Sequence, residues 1–419
     1  MNSLVDRVRD VIGGAPAPRA VAPASQPLSA ESVAPLGGVW SDGALVIEHR
    51  WERSARHGNQ TVGVVAAQIA ECIEEAKLFA GHGARMPFVF FDLETTGLNG
   101  GAGTHAFLVG CGRFEERDAF VTRQFLLTRT SDERALLQQV TRELTRAGAL
   151  VTFNGKSFDA SLLETRYLYH RLEWIGRDLP HLDVLHPARR FWSARRSPQP
   201  GDTDCSLPAL ERRLVGAMRH GDVAGFEIPS RYFHFIRTGD VRPLVAIVEH
   251  NRLDLLSLAA LTGRLLYLTR VGPDAVRTAS EALALGRTYT CAGDEERARA
   301  AFAKSIAMSR APAGAFDPVR ADALRALALL WRRARHYEEA ARCWQQLVEM
   351  RGCPSSLARE AAEALAIHNE HRVRNLSAAK AFALLGLRMD AQPAWTRSIH
   401  HRLARLDRKL EARTLDYDG

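Results

Sequence analysis

The chain has 419 residues, 46% of them hydrophobic and 25% charged, which allows two or three domains with real cores and excludes a peptide toxin, a collagen or a wholly disordered chain. No apolar run reaches the roughly 18 residues a bilayer crossing needs, and Asp6 and Asp10 interrupt the opening segment where a secretory leader would be unbroken. A soluble cytoplasmic protein with no membrane partner is expected. The net charge of +8 permits a polyanionic partner, and 24 basic against 18 acidic residues in 271–419 leave only +2 for the first 270. The six cysteines lie far apart with no C-x-x-C, and are expected to be reduced thiols.

Residues 13–38 are rich in Ala, Pro, Gly and Ser without helical or strand period, so 1–38 is expected to be a flexible N-terminal region. A strand-like ALVIEHRWE and a helix-like VVAAQIAECIEEAKLFA fill an extension over 39–86 whose role the pattern does not reveal. Over 87–269 strands alternate with helices, which predicts an α/β or α+β domain around a mixed sheet. FVFFDLE (88–94) is a buried strand, followed by a Gly-rich turn and two closely spaced strands, AFLVGCGRF and AFVTRQFLL, that should pair as hairpins. SDERALLQQVTRELTRA opens with a Ser cap and predicts an amphipathic helix; the strand ALVTFN, the helix FDASLLETRYLYHRL and the short strand HLDVL follow. The last helix runs roughly from Pro243 to Tyr267, with Pro in its first turn.

From about residue 270 the pattern is helical and repeats. Leu285, Gly286, Tyr289, Gly293, Ala298 and Phe302 resemble the tetratricopeptide helix–turn–helix pattern. Leu327, Ala328, Trp331, Ala340 and Trp344 resemble it again, and Leu365, Ala366, Ala378 and Phe382 a third time. The small-residue marks Ala298, Ala340 and Ala378 stand 42 and 38 apart, longer than the usual repeat, so a short, degenerate tetratricopeptide-like α-solenoid over 270–419 is expected. An ordinary helical bundle with Ala at its close contacts would show the same marks.

The chemistry is concentrated in Phe91-Asp92-Leu93-Glu94-Thr95-Thr96-Gly97-Leu98. Side chains two apart on a strand share a face, so Asp92 and Glu94 project together from a run built to be buried. Such a pair repels and is costly to desolvate without a cation, and hard oxygen ligands suit Mg²⁺ or Mn²⁺. A strand end that simply reaches water would carry the same two acids at no cost.

F-D-x-E-T-T-G-L resembles the first motif of the DEDD superfamily of ribonuclease H-like 3′→5′ exonucleases. Phe153-Asn154-Gly155-Lys156-Ser157-Phe158-Asp159 is similar to the second motif, with Asp159 as the third acid after a strand and at the start of a helix. His250-Asn251-Arg252-Leu253-Asp254 is similar to the third. On a helix, His250 and Asp254 share one face, and His in place of Tyr resembles the DEDDh branch. THAFLVG, LHPARR, YFHFIRTGD and HNRLDLLSLA further resemble the YprB-type ribonuclease H-like proteins of bacteria.

The resemblance implies a ribonuclease H-like mixed sheet flanked by helices, and hydrolysis of single-stranded DNA or RNA with two Mg²⁺ or Mn²⁺ ions held by Asp92, Glu94, Asp159 and Asp254. His250 would act as general base, while Thr95, Thr96, Gly97, Leu98 and Asn154 would contact the terminal nucleotide. The two threonines and Gly97 also suit a tight strand exit, and Asn154 an ordinary turn. Residues 99–104 lack the lysine of a phosphate-cradling P-loop, so a hairpin turn explains their glycines. Asp183 is read as structural, and Lys156 and the arginines of 189–196 as solvated cations that could also guide a phosphate backbone. Competing functions are an endonuclease using the same ions, and a non-catalytic scaffold binding nucleic acid or a protein partner through the helical repeats.

Overall fold

A computed structural model describes residues 28–81, 83–97, 103–193, 204–309, 315–388 and 393–415. Its centre is a seven-stranded sheet built from β1 (Gly38–Ser41), β2 (Ala44–Trp51), β5 (Phe88–Thr95), β6 (Ala106–Phe114), β7 (Phe120–Leu126), β8 (Ala149–Thr152) and β9 (His181–Asp183). Two further two-residue strands, β3 (Arg56–His57) and β4 (Gln60–Thr61), form a small hairpin of their own. The sheet order is β1-β2-β7-β6-β5-β8-β9, antiparallel from β1 to β5 and parallel from β5 to β9. The close spacing of the three strands after Pro87 did predict the β5-β6-β7 meander.

β5 is buried on both faces, which is why its sequence is nearly all apolar. Phe88 and Phe90 enter one core together with Val62, Val65, Leu255 and Leu256. Val89, Phe91 and Leu93 enter the other with Leu136, Leu137, Leu162 and Leu163. The helices covering these faces are α1 (Val62–Glu71), α2 (Glu133–Leu144), α3 (Asp159–Tyr169), α4 (Leu185–Trp192), α5 (Ile228–Thr238) and the 30-residue α6 (Arg242–Val271). The start of α6 packs Leu244, Ile247 and Val248 into the second core, and its later turns pack Leu255 to Leu268 into the first. Residues 250–254 lie at that changeover, so a long helix delivers its polar turn to the edge of both cores.

Two local expectations differ. α2 begins at Glu133, after a 3₁₀ turn over Thr130–Asp132, and Ser131 bonds the carboxylate of Asp132 instead of capping the helix. The Pro/Ala-rich stretch read as flexible is ordered at its end: Ala30–Val33 is helical with Ser29 as its cap, and Val33 and Leu36 are buried beside β1 and β2. Two apolar residues, too few to set up a period in the sequence, suffice there because the sheet supplies the rest of the pocket; residues 1–27 lie outside the described part.

The extension over 39–86 supplies β1 and β2, and β2 pairs with β7 at seven successive positions, from Leu45↔Leu126 to Trp51↔Phe120. Beyond α6 come only helices: α7 (Ala279–Cys291), α8 (Glu295–Met308), α9 (Pro318–Arg333), α10 (Tyr337–Val348), α11 (Ser355–His368), α12 (Leu376–Arg388) and α13 (Pro393–Leu415). Each packs against the next in chain order. Gly286 lets α7 approach α8, since a Cβ there would stand 2.5 Å from the Phe302 ring. The core of this region is continuous with the first core of the sheet domain, joined where α7 meets α4. Among the described residues no helix is long and apolar enough to cross a membrane.

Candidate active site

Asp92 and Glu94 lie on the α6-facing side of β5, opposite Gly110 and Leu108 of β6, and the pairing slips by a bulge between Glu94 and Thr95. Burial lifts the Asp92 carboxyl well above its usual range, and the charges of Asp254, Glu94 and Asp159 lift it further. Glu94 is raised in the same way, by burial and then by Asp254, Asp159 and Asp222.

Asp159 opens α3 after the turn that follows β8. Asp183 holds that turn: its Oδ1 accepts from the backbone N–H of Asn154 at 2.8 Å and of Leu185 at 3.1 Å, and its Oδ2 from that of Lys156 at 3.0 Å. Asn154 adopts a left-handed conformation (φ 69°), which Asn tolerates better than most residues. Gly155 makes room for the acid, because a Cβ there would stand 2.8 Å from Asp159 Oδ2 and 2.6 Å from Thr152. Burial, with Asp183 nearby, pushes the Asp159 carboxyl up to about 7.

One turn of α6 separates His250 from Asp254, with Nε2 3.6 Å from Oδ2. His250 Nδ1 donates to Asp222 Oδ1 at 2.6 Å, which fixes the ring so that Nε2 faces Asp254. Asp222 arrives from the loop that follows a π-turn at Glu211–Val215. The same loop brings Arg219, buried between Glu211 (2.6 Å), Asp222 (3.4 Å) and Asp254 (2.5 Å). The loop is clamped by the β3–β4 turn: Asn59 N–H donates to Val215 O at 2.8 Å, and Gly58 at φ 57° allows the approach, since a Cβ would stand 2.2 Å from that oxygen. The 39–86 extension thus shapes the wall of the site.

Asp92, Glu94, Asp159 and Asp254 therefore sit within electrostatic reach of one another. Arg219 offsets part of the charge of Asp254, yet the buried Asp254 Oδ1 and Arg219 side-chain nitrogen are close without being aligned as a hydrogen bond. Among the described residues Asp92, Glu94 and Asp159 have no ion-pair partner. As the side chains stand, no three such groups among the described residues close on a single point where an ion would be held. Like charges without a cation between them hold apart. The donor set, all hard carboxylate oxygens, and the uncompensated burial both fit a divalent cation.

The nucleotide-contact candidates are placed less distinctively. Thr95 Oγ1 donates to Gly97 O at 3.0 Å, and Thr96 Oγ1 accepts from His105 N–H at 2.9 Å, so both hydroxyls help close the turn. Leu98 and most of the glycine-rich stretch lie outside the described residues, as do Arg195 and Arg196. Asn154 borders a cavity of about 970 Å³ whose wall includes Phe153, Arg189 and Ser206. The sequence reading missed Asn251, Gln124, Arg219 and Asp222. Asn251 stood visibly inside the third motif; the others carry no local pattern.

A family model described as the RNase H superfamily matches residues 89–266. The uncharacterized protein YprB of Bacillus subtilis (strain 168) is 32% identical over 327 residues, covering 77% of this chain and 75% of the relative. Nucleases of the RNase H superfamily generally act on nucleic acid with divalent metal ions, so the resemblance points to a nuclease. With its seven-stranded mixed sheet, its helical C-terminal region and this extent of shared sequence, the chain belongs to the YprB family of ribonuclease H-superfamily proteins.

Proposed function

We propose that the chain is a DEDDh-type 3′→5′ exonuclease that hydrolyses single-stranded DNA or RNA with two Mg²⁺ or Mn²⁺ ions. The convergence of four acids from β5, α3 and α6 carries this reading, because the charges of Asp159 and Asp254 add to burial in raising both Asp92 and Glu94, and Asp92, Glu94 and Asp159 have no cationic partner among the described residues. Asp92, Glu94, Asp159 and Asp254 would hold the ions. When bound, such ions supply Lewis acidity that activates water and neutralises charge at the leaving oxygen. His250, oriented by Asp222, accepts the proton of the attacking water at Nε2. The Thr95–Gly97 turn, Leu98 and Asn154 would seat the terminal nucleotide, and the cavity beside Asn154 and Arg189 gives the strand a route to it. The helical region is a tetratricopeptide-like platform for substrate or a protein partner.

The ion pair of Arg219 with Asp254 favours a second reading, a scaffold whose acid cluster is already partly neutralised. One assay separates the two. The full chain is incubated with 3′- and 5′-labelled single-stranded DNA and RNA in Mg²⁺, Mn²⁺ or EDTA, beside Asp92→Ala and His250→Ala. Metal-dependent release of mononucleotides from the 3′ end, strongly reduced in both variants, is the expected result. Inactivity on every substrate, or activity unchanged in Asp92→Ala, selects the scaffold.

A further inference from the structure

Asp92, Gly110 and Gln124 form one row across β5, β6 and β7, because Asp92 pairs with Gly110 and Gly110 with Gln124. Two strand spacings, about 9.5 Å, separate the outer two. The fully buried Asn251 of α6 bridges that gap over the glycine. A Cβ on Gly110 would stand 2.2 Å from Asn251 Oδ1 and 2.9 Å from Leu255, so only glycine leaves the amide its place. Asn251 Nδ2 donates to Asp92 Oδ2 at 2.8 Å and to the Asp92 carbonyl at 3.3 Å. On the other side, Gln124 Nε2 donates to Asn251 Oδ1 at 2.8 Å and to Val248 O at 2.8 Å.

The direction of this relay is forced. A backbone carbonyl can only accept, so Gln124 must turn its NH₂ toward Val248 and Asn251. Asn251 must then offer its oxygen to Gln124, which leaves only its NH₂ for Asp92. The amide fixes the Asp92 side chain through two acceptors on one residue and, being neutral, leaves its negative charge in place. Oδ1 of Asp92 receives no hydrogen bond among the described residues, so it is the oxygen left for a cation.

We infer that Asn251 is a positioning residue that presents Asp92 to a divalent ion, and that Gln124 sets its polarity across Gly110. This rests on the reading of Asp92 as a metal ligand. Partners of this kind change metal affinity by roughly 10–100-fold when removed.

The test measures Mn²⁺ binding to the full chain without nucleic acid, by titration calorimetry and electron paramagnetic resonance, for wild type, Asp92→Asn, Asn251→Ala and Gln124→Glu. Gln124 does not touch Asp92, so any effect of its substitution on the ion passes through Asn251. In Gln124→Glu the new carboxylate turns the Asn251 amide over and points its oxygen at Asp92. Both relay variants are expected to bind Mn²⁺ at least about 10-fold more weakly than wild type, and excess Mn²⁺ restores their catalytic rate. Urea unfolding midpoints identify a variant that fails to fold, and Gln124→Glu decides the matter if Asn251→Ala does. Wild type that binds no Mn²⁺, or Asp92→Asn that binds it unchanged, overturns the metal-site reading and this inference with it. Tight binding lost in Asp92→Asn but unchanged in the relay variants overturns the positioning role alone.

Discussion

Two groups of acid in this molecule meet opposite surroundings. In the helical region Glu370 is surrounded by cations: Arg402 at 3.1 Å, Arg405 at 2.8 Å, Lys409 at 2.9 Å and His371 at 3.6 Å. The Arg405 hydrogen bond, helped by Lys409, brings its carboxyl down to about 2. In the sheet domain the partly buried Asp92, Glu94 and Asp159 lie near one another and are all displaced upward. The sheet domain also holds a neutralised acid, Glu133, where hydrogen bonds from His105, Arg166 and His170 overcome the cost of burial. This chain has arginines to spare for structural acids, and the three left without one are the acids that the proposed function assigns to an external cation.

The sharpest way to break that contrast is Asp92→Asn. Nuclease activity should fall by more than the roughly 100-fold that a supporting residue costs. Stability in EDTA should not fall, because the change removes a buried charge that no cation offsets. An Asp92→Asn chain that unfolds more easily than wild type in EDTA would show that Asp92 is a satisfied structural acid like Glu370. Mg²⁺ at about 100 times its dissociation constant should stabilise wild type by about 2.7 kcal/mol and leave Asp92→Asn nearly unmoved, read as the shift in thermal midpoint.

The other side of the contrast is sharpened by Glu370→Gln, expected to cost about 1–3 kcal/mol in urea unfolding. Removing one partner of a buried pair leaves the others uncompensated, and the partial exposure of Arg405 and Lys409 lowers the figure. Because the folded pKa is depressed, the contribution is present above the unfolded value near 4.3 and is lost as pH falls toward about 2. The stability gap between wild type and Glu370→Gln should therefore be full near pH 6 and close across that window. A gap that widens on acidification would mean Glu370 is not held by these cations.

What could be read in advance follows from what is local. Asp92 and Glu94 share a strand face and His250 and Asp254 a helix face, so their spacing alone places each pair. The heavy apolar content of 88–91 announced a strand covered on both sides. Arg219 and Asp222 were hidden, because the loop that carries them has no period and is fixed by a distant turn at Gly58 and Asn59. Asn251 was visible but mute: its role depends on Gly110 and Gln124 falling in one row, a fact of strand register. In 39–86 the strand of ALVIEHRWE was legible, but nothing in it says that its partner is β7, and the short β1, β3 and β4 were not seen.

The seam between the sheet domain and the helices offers the mildest test of the comparison, at another buried acid. Glu281, in the first turn of α7, accepts from Trp192 Nε1 at 2.9 Å and from the Arg277 backbone N–H at 2.5 Å, with Arg264 3.7 Å away. It is supplied from within the chain, as Glu370 is, but mainly by neutral donors. Trp192→Phe keeps an aromatic ring in the pocket and removes one donor, so the expected loss is about 1–2 kcal/mol. Cutting the chain after residue 270 would be a poorer experiment, because Ala282, Leu283, Leu285 and Tyr289 belong to the core that α4 and α6 share, and their removal would expose it. Single-turnover cleavage at saturating substrate should be unchanged in Trp192→Phe if the seam only holds two regions together. A fall in that rate matching the loss of the whole site would instead tie the acids around Asp92 to the packing of α7.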